Sequence, residues 1–214
     1  MSTESLRHCV LATLFMAIAG FVDAVGFLTL SGLFSSFMSG NSTQFALNLG
    51  QESWAAALRP GAVVGLFVVG VVLGRLASAV GSWGRHLILI AEAALLGAPA
   101  ALALPSLTQG ALMAIAMGAQ NEILPPHGSP KVGLTYVTGT LVSLGERFAD
   151  ALHGAGSFSA CLSVAFLWLG LVSGGAVGAA SFVAFGARCL AAPAGAVLLL
   201  AAAAVVEIRR GQSR

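Results

Sequence analysis

The stretch Phe37-Met38-Ser39-Gly40-Asn41-Ser42-Thr43-Gln44 places five polar side chains and a glycine inside an otherwise apolar region. About half the chain later, Tyr136-Val137-Thr138-Gly139-Thr140 repeats its order of aromatic, apolar, hydroxyl, glycine and polar residues. In both places the residues that follow are typical of a short helix. The two stretches therefore predict a repeated element with a polar centre.

The rest of the chain has the composition of a polytopic membrane protein. Of its 214 residues, 57% are hydrophobic and only 8% are charged, and the mean hydropathy is +0.93. Soluble domains carry about 25% charged residues, so we expect the lipid bilayer as the partner of most of this surface. The net charge of +2 is dispersed, which does not indicate nucleic-acid binding. Cys9, Cys161 and Cys189 lie far apart without metal-ligand spacing, so we expect no disulfide, metal or cofactor.

Apolar runs of about 20 residues predict membrane-spanning helices. The candidate spans are 9–31, 61–81, 86–104, 107–125, 159–183 and 188–207. Residues 32–58 and 126–157 are too polar for spans that face lipid, yet too apolar for ordinary loops.

The N-terminus allows two interpretations. Ala17-Ile18-Ala19 resembles a signal-peptide cleavage site. The apolar run continues to Phe34, however, and this favours a first membrane span.

Four matches in the same order predict that residues 1–104 are duplicated as residues 105–214. They pair 20–23 with 118–121, 39–40 with 138–139, Gly70 and Gly74 with Gly170 and Gly174, and Arg85 with Arg188. With three spans in each copy and both termini in the cytoplasm, eight basic residues fall inside and two outside. Full crossing by 32–58 and 126–157 would give six and four, so the positive-inside rule favours the first arrangement. An odd number of spans inverts the second copy, as in many secondary transporters.

Three of these motifs resemble the YoaK-like family of bacterial inner-membrane proteins, a family of unknown function. They are 20–27 (Gly-Phe-Val-Asp-Ala-Val-Gly-Phe), 38–41 (Met-Ser-Gly-Asn) and 138–141 (Thr-Gly-Thr-Leu). Ser39 stands where threonine is more usual in that family. The resemblance implies about six spans and a location in the bacterial inner (cytoplasmic) membrane, and it supplies no substrate.

Each polar stretch is interpreted as a re-entrant broken helix, with a turn at Gly40 or Gly139 and a return as 42–49 or 140–152. Inversion would bring two helix N-termini, which favour anions, towards the membrane midplane. The alternative is that both glycines mark tight helix crossings and the hydroxyls bond to backbone. The predicted solute-binding residues are Asp23, Ser39, Gly40, Asn41, Ser42, Thr43, Gln44, Asn121, Glu122, Thr138, Gly139 and Thr140.

Asp23 is an acid deep inside the first apolar span, where a charge costs about 2.5–3.5 kcal/mol on insertion scales. One hypothesis is that Asp23 and Glu122 face one cavity and couple transport to protons. The other is that Asp23 accepts hydrogen bonds from the broken helix and holds its turn.

The sequence therefore predicts an all-α membrane protein with six transmembrane helices as a 3+3 inverted repeat and two re-entrant broken helices. The expected function is a transporter or channel-like protein for a small polar or anionic solute. The alternative is a membrane assembly, sensory or partner-binding subunit that transports nothing. Catalytic motifs of hydrolases, zinc proteases and P-loop enzymes are absent from the sequence, so we do not expect an enzyme. Glycines four residues apart indicate close helix contacts, either within one chain or across a homodimer.

Overall fold

The computed structural model describes residues 3–123 and 137–212, and this part of the chain is helical without β-strands. Its helices are α1 (Thr3–Thr29), α2 (Met38–Gly50), α3 (Trp54–Ser78), α4 (Gly84–Ala101), α5 (Ser106–Gln120), α6 (Val137–Leu152), α7 (Phe158–Phe185) and α8 (Ala191–Gln212). Short 3₁₀ segments, Gly81–Trp83 and Gly186–Leu190, precede α4 and α8. Each of the six predicted spans overlaps one helix, of 15 to 28 residues. The two polar stretches contain α2, with 13 residues, and α6, with 16 residues.

Within the described residues, three helical stretches are long and apolar enough to cross a membrane. They are Leu6–Thr29, Trp54–Ser78 and Phe158–Ala204, the last of which covers α7 and most of α8. α1 runs without interruption through the Ala17-Ile18-Ala19 sequence, and Ala19 is fully buried in the core. This burial supports the interpretation of the N-terminal segment as part of the folded bundle.

The bundle is built from helix pairs. α1 packs along α7, α3 along α5, and α4 along α8, while α2 lies on α3 and α6 lies on α7. The central core is formed by α1, α4, α5 and the start of α8, with Val22, Leu96, Met117 and Val197 fully buried.

Glycines fix the distance and direction of the two closest pairs. A Cβ atom at Gly174 would overlap the carbonyl oxygen of Ala17, and one at Gly178 would lie 2.6 Å from that of Phe21. Since these contacts advance in the same direction along both helices, α1 and α7 are parallel. Only glycine permits such close approach of two backbones.

The pair α3 and α5 makes the same contacts as α7 and α1. A Cβ at Gly70 would overlap the Ile115 carbonyl, as Gly174 does with Ala17, and Gly74 lies against Ala119 as Gly178 lies against Phe21. The contacts therefore match Gly70 with Gly174, one helical turn beyond the Gly170 that the sequence pattern selected. All of these glycines are used in helix contacts within one chain.

α1 and α5 run in opposite directions. The Gln120 amide bonds to the Phe15 carbonyl at 2.9 Å, whereas Gly110 lies against Leu30. One end of the bundle thus holds the start of α1 and the end of α5, and the other holds the end of α1 and the start of α5.

Candidate functional site

The segment between α1 and α2 turns back into the bundle. After α1 the chain reverses at Ser31 and Gly32, which have positive φ values of 56° and 106°. It then returns to Asp23, whose carboxylate accepts hydrogen bonds from the N–H groups of Ser35 (2.8 Å) and Ser36 (2.5 Å) and from the Ser36 hydroxyl (2.6 Å). Asp23 precedes Leu30 by seven residues, so the segment returns about 10 Å along the helix axis. This path is that of a re-entrant element.

Asn41 and Gln44 hold the same segment from the other side. The fully buried Asn41 amide accepts from the Phe34 N–H at 3.0 Å and donates to the Phe34 carbonyl at 2.7 Å. The Gln44 amide donates to the Gly32 carbonyl at 2.7 Å. An irregular backbone at this depth needs such partners, because lipid offers no hydrogen bonds. Asp23, Asn41 and Gln44 therefore bond to backbone groups of Gly32, Phe34, Ser35 and Ser36.

The break in the backbone lies earlier than the sequence suggested. α2 begins at Met38, so Gly40 and Asn41 belong to its first turn and do not form the turn that precedes the helix. The residues that reverse the chain are Ser31 and Gly32, and the residues that return it are Leu33–Phe37. Phe34 closes this segment with its ring between Phe27 (5.0 Å between centroids) and Phe37 (5.2 Å).

The remaining polar side chains of α2 form an exposed hydroxyl face. Ser39, Ser42 and Thr43 are exposed, and the Thr43 hydroxyl donates to the Ser39 carbonyl at 3.0 Å. Since α2 starts near the depth of Asp23, this face begins inside the bundle and not at its end. It is the part of the predicted site that remains open to a solute.

The second copy of the element is described from Val137 onwards, so Tyr136 lies outside the described residues. α6 spans Val137–Leu152, which puts Gly139 within the helix and not at a turn before it. Thr138 and Gly139 are exposed and Thr140 is half-buried. α6 packs on α7 and α2 packs on α3, and the two short helices share no extensive interface. Gly40 and Gly139 therefore belong to separate short helices, each beginning near its glycine.

Asn121 and Glu122 follow the end of α5, away from the first element. The Asn121 amide donates to the Met117 carbonyl at 2.9 Å, and the Glu122 carboxylate lies 3.8 Å from the Arg75 guanidinium. Because Gln120 is level with Phe15, the antiparallel geometry separates Asp23 from Glu122 by about 15 Å along the bundle. The two acids do not face one cavity, and Asp23 has the turn-holding contacts of the second hypothesis.

Other polar residues are buried more deeply than any predicted site residue except Asn41. Glu92, His86 and Gln120 are 0%, 3% and 0% exposed. Within the described residues, five of their side-chain atoms have no hydrogen-bond partner: both Glu92 oxygens, both His86 ring nitrogens and the Gln120 carbonyl oxygen. Arg75 pairs with Glu122 and not with Glu92, and the full burial of Glu92 keeps its carboxyl from the surface of the bundle. The available signal was its position on the helix face of Leu89, Ala93 and Leu96.

A large groove in the described part of the molecule is not polar. It has a volume of about 590 Å³ and lies between α1, α7 and the start of α8, with Leu14, Phe21, Val177 and Leu199 among its walls. Its polar side chain is Ser173, whose hydroxyl already donates to the Gly170 carbonyl at 3.1 Å. A surface of this chemistry suits lipid chains and offers a polar solute no ligands.

Comparison with known proteins assigns the chain to a family. The model of a family described as a protein of unknown function (DUF1275) matches residues 11–203. A relative described as a UPF0700 transmembrane protein, from Rhizobium meliloti (strain 1021), is 34% identical over 203 residues, which cover 92% of this chain and 86% of the relative. No solved structure matches the chain. The resemblance drawn from the motifs, to a membrane family without an assigned function, is confirmed, and the chain belongs to the DUF1275 family.

Proposed function

We propose that this protein is a six-span inner-membrane transporter for a small polar or anionic solute, built as a 3+3 inverted repeat. The observation that carries the proposal is the re-entrant segment 31–37, which starts α2 inside the bundle and leaves its hydroxyl face exposed. Discontinuous helices of this kind form solute sites in secondary transporters.

The matching helix contacts support the repeat. The contacts between α1 and α7 recur between α5 and α3. Matching residues of α1 and α5 are 98 positions apart, as are 17 and 115. Matching residues of α3 and α7 are 104 positions apart, as are 70 and 174. Exchange of the two copies also maps α4 onto α8, and these two helices pack against each other. It maps the pair α2 and α3 onto the pair α6 and α7, and in each pair the first helix packs on the second. The same domain boundary, residues 1–104 and 105–214, follows.

The charge distribution supports the orientation. Arg7 and Arg85 line one small cavity together with Ile123, next to the Glu122 that pairs with Arg75. These three arginines mark one end of the bundle, and the starts of α3 and α8 mark the other with Arg59 and Arg188. By the positive-inside rule the first end faces the cytoplasm, and both termini lie there.

The proposed solute site is the hydroxyl surface at the beginnings of α2 and α6. On α2 this surface consists of Ser39, Ser42 and Thr43, and on α6 it consists of Thr138 and Thr140, with each helix packed on a different neighbour. Ser39, Ser42, Thr43 and Thr138 are exposed, and polar side chains are costly to place in hydrocarbon, so this surface is expected to face water. The exposed N-terminal turn of a helix also favours an anion.

A second candidate is a membrane assembly or partner-binding subunit that transports nothing. It is favoured by the saturation of Asp23, Asn41 and Gln44, because all three bond to backbone of residues 32–36. In this case the re-entrant segment is a structural element of the bundle. A homodimer remains a prediction for either function, and it no longer draws support from the glycines.

Water access to the hydroxyl surface separates the two candidates. Single cysteines at Ser42 and Thr138 are introduced into a background in which Cys9, Cys161 and Cys189 are replaced by alanine. A membrane-impermeant maleimide reacts with thiolates in water, so we expect both positions to be labelled in intact membranes. The control is Leu199→Cys, which is exposed on α8 beside the apolar groove and is expected to stay unlabelled.

The solute is sought by comparing metabolites in a deletion strain, in the strain complemented with the wild type, and in one complemented with the Ser39→Ala, Ser42→Ala, Thr43→Ala triple variant. Accumulation or depletion of the same compound in the first and third strains supports transport. Labelling of Ser42→Cys no faster than Leu199→Cys, with no metabolite difference, would refute it.

A further inference from the structure

Glu92 is an acid without a partner in the centre of the bundle. It lies in the middle of α4, on a face with Leu89, Ala93 and Leu96, all at most 4% exposed. Its own side chain is fully buried, and neither oxygen has a hydrogen-bond partner in the described part of the chain. An unpaired carboxylate in such surroundings is strongly disfavoured, so the group must bind a proton or another cation.

Gln120 is a second buried polar group without a full set of partners in the same core. It lies on α5, the antiparallel neighbour of α4, and is fully buried. The Gln120 amide donates to the Phe15 carbonyl, while its carbonyl oxygen lacks a donor. The core of the bundle therefore holds an unpaired acceptor as well as the unpaired acid.

A small cavity begins one helical turn from Glu92, on the side towards the end of the bundle. It has a volume of about 70 Å³ and is lined by Arg7, Phe15, Arg85, Leu89 and Ile123, among others. Since one water needs about 30 Å³ in the liquid, the cavity has room for about two. Leu89 lies about 4.5 Å along α4 from Glu92, so the cavity reaches to within one helical turn of the acid.

The charged and titratable groups of the surrounding elements leave Glu92 unpaired. α5 has none, and α8 has none between Ala191 and Ala204. On α1, Asp23 bonds to residues 35 and 36, and on α3, Arg75 pairs with Glu122. Arg7 and Arg85 line the cavity.

Two titratable groups share the core with Glu92. His86 lies six residues earlier on α4, about 9 Å along the axis, and Cys189 of the 3₁₀ segment before α8 is also buried. Neither forms a hydrogen bond to the Glu92 carboxyl.

We propose that Glu92 is a proton-binding site of this protein, loaded and emptied through the cavity beside Arg7 and Arg85. A hydronium that enters the cavity gives its proton to the carboxylate, which becomes a neutral acid, and leaves a water behind. A metal ion would need several ligands, and the described residues contain no group of three His, Cys, Asp or Glu side chains that could hold one. Glu92 is then a residue through which pH acts on the bundle.

Infrared difference spectroscopy tests the site without any solute. The full chain in lipid nanodiscs is titrated from mildly alkaline to acidic pH, and the carbonyl stretch of a protonated carboxyl is followed. We expect the wild type to gain this band reversibly, and the part of the band that belongs to Glu92 to be lost in Glu92→Gln, which has the shape of the neutral acid. Asp23→Asn and Glu122→Gln are the matched controls and retain it.

Two results would overturn the proposal: a titrating band in Glu92→Gln as large as that of the wild type, or a Glu92 band that is unchanged at every pH. If Glu92→Gln does not fold, Glu92→Asp decides, because it must shift the frequency of the band. The inference goes beyond the proposed function, since a protein that moves no solute can still show this titration, and a transporter can lack it.

Discussion

Replacement of Asp23 by alanine tests the central contact of the re-entrant segment. The change removes the acceptor of two backbone N–H groups, those of Ser35 and Ser36, and of the Ser36 hydroxyl. The hydroxyl can rotate to another partner, but the N–H groups of two fully or nearly fully buried residues cannot. Each buried donor without a partner costs about 1–3 kcal/mol. We therefore expect Asp23→Ala to lower the free energy of unfolding by about 2–6 kcal/mol.

The measurement is equilibrium unfolding of the purified protein in mixed micelles, with wild type and variants side by side. Ser36→Ala is the matched control, because it removes only the hydroxyl bond and is expected to cost about 1 kcal/mol. Asp23→Asn keeps one acceptor oxygen for both N–H groups, so its loss should lie between those of the other two. An Asp23→Ala protein as stable as the wild type would refute the re-entrant geometry. A stable Asp23→Asn protein that no longer moves the solute would instead return Asp23 to the solute site.

Two further substitutions test the helix contacts and the second anchor of the segment. Gly20→Ala places a Cβ on the Leu171 carbonyl and should destabilise the bundle by about 1–3 kcal/mol through overpacking. Gly65→Ala is the control, because open space surrounds Gly65, and it should stabilise α3 by about 0.5–1 kcal/mol. Equal thermal unfolding temperatures for both variants would contradict the parallel packing of α1 and α7. Asn41→Ala leaves the backbone N–H and C=O groups of Phe34 unpaired and should lower the free energy of unfolding by about 2–5 kcal/mol. We also expect faster protease cleavage within residues 31–37. Unchanged cleavage would show that Asn41 does not hold the segment.

The sequence predicted the helices well, since their signal is local. Apolar length and period depend on neighbouring residues, so the span predicted at 159–183 is observed as Phe158–Phe185. The partners of polar groups are not local in this sense. Asn41 bonds to a backbone seven residues away across an irregular segment, and no pattern indicates that path. The burial of Glu92 likewise depends on which helices cover its face of α4, and a single-sequence analysis cannot determine that.

The glycine pattern shows how a correct signal can give the wrong register. Gly170, Gly174 and Gly178 repeat every four residues, so the pattern matches Gly70 and Gly74 equally well after a slip of one helical turn. Only the contacts distinguish the alternatives, because Ala17 opposes Gly174 as Ile115 opposes Gly70. The extra residues are then located by counting from the matched glycines to the start of the next long helix. There are 14 positions in the first copy, from Gly40 to Trp54, and 19 in the second, from Gly139 to Phe158. These five positions account for nearly all of the change in shift from 98 to 104. The longer α6 and the longer connection after it are therefore additions at the end of the bundle that carries Arg147, and the paired spans themselves need no insertion to superpose.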